Sequence, residues 1–108
     1  MKEKKSDDYY VELPVGITRA EVMAAVERAA RAAGLYISHI GGYSRKKYPN
    51  AVHWHFKRDS KEVGLLDATY WDVESLFWLM IRHSEPAWVK DKVPELLEKL
   101  KLEMARTG

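Results

Sequence analysis

The chain has 108 residues, a formal charge of +2 and no cysteine. That suffices for one domain with a single core, and it excludes a disulfide framework, a thiolate nucleophile and any sulfur-ligated metal. The small net charge excludes a strongly polycationic protein while leaving room for a local basic patch, and the longest apolar run, residues 76–81, is far shorter than the roughly 20 residues that span a bilayer.

Residues 1–8 (MKEKKSDD) are charged and are followed by no apolar segment, so they read as a disordered tail rather than a secretory signal. Residues 9–108 then form the single domain, and a cytoplasmic protein is expected. Tyr9 to Leu13 are strand-forming residues that stop at Pro14, which suits a short edge strand.

Thr18 and Glu21 have the spacing of a capping box, with Ile17 and Val22 placed as a hydrophobic staple. Val22, Val26, Ala29, Ala30 and Ala33 recur at helical spacing, and Gly34 supplies the stop. A stripe of alanine and valine predicts a helix packed closely on a sheet.

Residues 35–40 (LYISHI) read as a strand, and residues 41–50 (GGYSRKKYPN) as a long loop with three consecutive basic residues. Residues 51–57 (AVHWHFK) alternate, with Val52, Trp54 and Phe56 on one face and His53, His55 and Lys57 on the other. Residues 58–62 form a polar hairpin loop, and residues 63–71 the next strand. If that hairpin closes symmetrically, His53 lies opposite Asp67.

Residues 75–83 (SLFWLMIRH) are ambiguous, because a short apolar run fits a strand or a helix capped by Asp72. The preceding hairpins favour continuing the meander as a strand. Phe77, Leu79 and Ile81 then sit beside Tyr70, Ala68 and Leu66. Residues 84–88 form a turn or first helical turn. The last helix is predicted from about Lys92 to Arg106, capped by Asp91, with Pro94 in its first turn and Val93, Leu96, Leu97, Leu100 and Met104 as its apolar stripe.

The expected architecture is α+β: an antiparallel meander of four strands, or five with the N-terminal one, and two helices in the order β-α-β-β-β-β-α. If both helices cover the face carrying Trp54 and Phe56, the other face is open. One helix on each face is the competing arrangement.

The open face would show Trp71, Leu76, Trp78 and Met80 beside Arg82, an apolar surplus for a solvated face. With nearby Trp88 it points to a small non-catalytic module that holds a protein partner or a second copy of itself, as a natural dimer or an engineered binder would. This reading assigns no cofactor, no catalytic residue, no metal ligand and no membrane contact.

Two alternatives come from other residues. Tyr43, Arg45, Lys46, Lys47 and Tyr48 mix positive charge with stacking rings, which suits single-stranded nucleic acid. The glycines at 41 and 42 precede a strand rather than open a helix, so no phosphate-binding loop is present. His53 and His55, two apart on a strand, share a side and could join Asp67 in a hydrolase or metal site. A third histidine for that site, His39 or His83, would have to land on the same face. Ser38–His39 and His83–Ser84 make no dyads, because strand neighbours point to opposite faces.

Overall fold

The computed structural model describes residues 4–42 and 48–107. Five strands form one antiparallel sheet, β1 (Ser6–Val11), β2 (Tyr36–Gly42), β3 (Val52–Lys57), β4 (Leu66–Trp71) and β5 (Leu76–Arg82), with helices α1 (Arg19–Ala32) and α2 (Ala87–Thr107). The spatial order is β1-β5-β4-β3-β2, so β2 to β5 are a meander and β1 adds to its far edge. The element order matches the α+β expectation. Residues 76–82 are a strand, and Tyr70 pairs with Phe77 and Ala68 with Leu79, in the expected register.

Local chemistry accounts for α1. Thr18 Oγ1 accepts from the Glu21 amide at 3.1 Å, and Glu21 Oε1 accepts from the Thr18 amide at 2.9 Å, closing both halves of the capping box. At the other end the Leu35 amide reaches Ala30 O at 2.8 Å and the Gly34 amide reaches Arg31 O at 3.1 Å. With Gly34 at φ +73°, this is a complete Schellman stop, which needs a left-handed residue at that point.

Both helices lie on the same face of the sheet. Val22, Val26, Ala29 and Ala30 of α1 and Val89, Val93, Leu96, Leu100 and Met104 of α2 form one buried cluster with Trp54, Phe56, Leu66, Phe77 and Leu79. The small side chains of α1 allow close approach, and Arg28 Nε donates to Glu103 Oε2 at 2.7 Å between the helices. Among the described residues, no helix is long and apolar enough to cross a membrane.

β2 runs on to Gly42, so the two glycines read as the start of the loop pair with His53 and Val52 instead, and three further boundaries differ from the sequence reading. β1 begins at Ser6, inside the stretch read as a tail, because Ser6, Asp7 and Asp8 pair with Arg82, Ile81 and Met80. The α2 helix begins at Ala87 and runs through Pro94, which therefore stands well past the first turn. Tertiary anchors on both sides outweigh the proline: Val89 and Val93 before it and Leu96 and Leu100 after it are buried, and Lys92 Nζ donates to Ala33 O at 3.0 Å. Third, β4 begins at Leu66 rather than Val63. Gly64 has φ +117°, and a Cβ there would lie 2.7 Å from Pro86 Cγ and 2.9 Å from Trp88 Nε1. The chain thus turns against the start of α2 before it can pair. The longer hairpin moves the register by two residues, so that His55 faces Asp67 and His53 faces Thr69.

Candidate metal centre on the open sheet face

A two-residue shift preserves which face each side chain occupies. His53, His55, Asp67, Thr69, Trp71, Leu76, Trp78, Met80 and Arg82 therefore all lie on the face opposite the helices, as the alternation of β3, β4 and β5 requires. From β1, Tyr10 opposite Trp78 and Asp8 opposite Met80 join them.

The polar half of this face converges on one point. His53 Nε2 lies 3.0 Å from His55 Nε2, and Asp67 Oδ1 lies 2.9 Å from His55 Nε2 and 3.3 Å from His53 Nε2. The three atoms form a near-equilateral triangle. Asp67 is only 2 % exposed, yet among the described residues its Oδ1 has no hydrogen-bond partner. Both imidazole Nε2 atoms lie within ion-pairing distance of it without making a hydrogen bond to it. A buried carboxylate oxygen left in that state is costly unless something else satisfies it.

The outer groups fix the inner ones. Arg82 Nη1 donates to the second carboxylate oxygen, Asp67 Oδ2, at 3.1 Å, and so turns Oδ1 toward the histidines. Thr69 Oγ1 lies 3.2 Å from His53 Nδ1, which leaves Nε2 facing the triangle. Orientation of a ligating histidine through its other nitrogen is the usual support of a metal site. Burial pushes the His55 pKa down; Asp67 opposes this, while His53, His39 and Arg82 add to it. The net effect keeps the imidazole neutral near pH 7, the form that binds metal.

The apolar half is folded onto itself. Trp78 is only 6 % exposed, with the Tyr10 ring 5.7 Å away and the Tyr48 ring 5.1 Å away. Tyr48 also packs edge-on against Trp71 at 5.2 Å. Leu76 and Met80 stay half-buried, and Arg82 is exposed. Trp88 is not part of this constellation. It packs against the helix-side core, donates from Nε1 to Val63 O at 2.8 Å and lies under the Arg58 guanidinium. Of the basic loop, Tyr43, Arg45, Lys46 and Lys47 fall outside the described residues, and Tyr48 serves as a lid on the two tryptophans.

His83 pairs with Asp7 at 3.2 Å at the β1–β5 edge, away from the triangle. His39 does reach the open face. It sits opposite His55 on β2, with ring centroids 5.1 Å apart. The chain matches no known protein family, no curated protein and no solved structure, so the site stands on its own geometry.

Proposed function

We propose that this protein is a divalent-metal-binding domain whose ligands are His53, His55 and Asp67. The observation that carries the reading is the triangle of Nε2, Nε2 and Oδ1 closed around a buried, unpartnered carboxylate oxygen. Zinc held at 2.0–2.1 Å in a tetrahedron sets its ligand atoms about 3.3 Å apart, close to the 2.9, 3.0 and 3.3 Å edges here. Two imidazoles with one carboxylate suit zinc or iron(II).

Calorimetric titration with Zn²⁺ tests this. One equivalent should bind, and Asp67→Asn should cost more than the roughly 10–100-fold that loss of an outer-shell partner costs. Absence of stoichiometric binding by Zn²⁺, Co²⁺ and Fe²⁺ would end the reading.

A second reading keeps the same face for a protein partner or a second copy of the chain. Half-buried Leu76, Trp71 and Met80, on a face with no helix over it, favour it. It predicts a solution mass of more than one chain, or a partner whose binding is lost on Leu76→Asp.

A further inference from the structure

In the regular part of β2, Ile37 pairs with Phe56, whose side chain is in the helix-side core. Unbroken alternation would put residue 39 on that same side, two positions on. It does not, because the ladder slips between Ile37 and His39: two residues of β2 advance against one of β3, leaving Ser38 as the extra residue. The Ser38 hydroxyl donates across to His55 O at 3.3 Å. This bulge turns His39 to the open face, directly opposite His55. Bulges commonly re-aim a side chain beside a functional site.

The next residue on that side is Gly41, opposite His53. A Cβ on Gly41 would lie 3.2 Å from His39 Nε2, so the His39 ring leans over the space that a side chain would fill. His39 thus stands next to the two imidazoles that meet the buried carboxylate: His39 and His55 at 5.1 Å, His53 and His55 at 4.8 Å between centroids.

We propose that His39 is the fourth protein ligand of the site, swinging in from the edge strand when the metal binds. This rests on the metal-binding reading above. His39 is exposed and on the outermost strand, so it can turn toward the triangle without disturbing the core. The resulting shell, three imidazole nitrogens and one carboxylate oxygen, is complete for tetrahedral zinc. Four protein ligands characterise sites that hold a metal, whereas hydrolytic zinc sites keep one position for water. With all four positions taken by protein, the site would hold zinc and leave no position at which water is activated.

X-ray absorption of the zinc-loaded protein, with calorimetry on His39→Ala and a His83→Ala control, tests the proposal. The wild type should show three imidazoles, and His39→Ala two, with affinity reduced 10-fold or more and His83→Ala unchanged. The Co²⁺ form should shift its visible absorption in His39→Ala, as water takes the place of one imidazole. Two imidazoles in the wild type, or affinity within twofold on removing His39, would overturn the fourth ligand while leaving the three-residue site standing. A wild type that binds no metal would overturn both. Circular dichroism should give one thermal midpoint for wild type and His39→Ala, so a change in affinity is not a change in fold.

Discussion

The two faces of β3, β4 and β5 are made by alternate residues of the same strands, yet they are built differently. On one side Trp54, Phe56, Leu66, Phe77 and Leu79 meet two helices and form a continuous apolar core. On the other, Asp67, Thr69 and Trp78 are also buried, although both helices are elsewhere. There the covering is local: the two tyrosines over Trp78, and the histidines over Asp67. The first face needs only volume and hydrophobicity to be right. The second depends on where particular atoms point, since a carboxylate and three imidazoles must be satisfied within a few ångströms.

Substitutions on the two faces should therefore differ in kind. The largest effect on folding is expected on the covered face: Phe77→Ala should remove about 3–5 kcal/mol, read as a shift in the urea midpoint. Trp78→Ala, directly on the other side of the sheet, should cost about 2 kcal/mol, because among the described residues it is the Tyr10 and Tyr48 rings rather than a helix that close over it. Equal losses at the two positions would mean that the open face is a second core. The smallest effect is a pH dependence. Burial disfavours the charged form of His55, so below its ordinary value near 6.5 the unfolded chain takes up a proton that the folded one resists. The metal-free protein should hold this contribution above about pH 6.5 and lose it as the pH falls from there toward the lower folded value. Urea midpoints at pH 7.5 and 5.5 should diverge more for the wild type than for His55→Gln; equal divergence would remove His55 as the cause.

Much of the fold was legible because it rests on short-range rules. Thr18, Glu21 and Gly34 mark the ends of α1 by chemistry that acts within a turn. The strict alternation from Val52 to Phe56 assigns faces whatever the register, and residues 76–82, once they are a strand, follow the same period of two. His53, His55 and Asp67 could be placed on one side for that reason, even though the facing pair is His55 with Asp67 rather than His53. Trp88 was set beside the open face because residues 84–88, read as a turn or first helical turn, fix no side of the sheet; α2 begins at Ala87 and carries the indole against Val63. Pro94 misled because its penalty is local, and anchors thirty or more residues away outweigh it.

His39 is the clearest case of what alternation alone cannot assign. Counting along β2 from Ile37 puts it on the helix side, and nothing in LYISHI marks the extra residue. Composition, capping and the period of two pointed to an α+β domain and put His53, His55 and Asp67 on one side of the sheet, while the strand at 76–82 and the placing of both helices over the other face came from tertiary structure. Tertiary structure decided the rest: how far the 58–65 loop runs before β4 pairs, and that β2 slips by one residue and presents a third histidine. The physical reason is that a face is set within a strand, two residues at a time, while a register or a bulge is set between strands, by contacts such as Gly64 against Pro86 and Ser38 against His55 that no local pattern records.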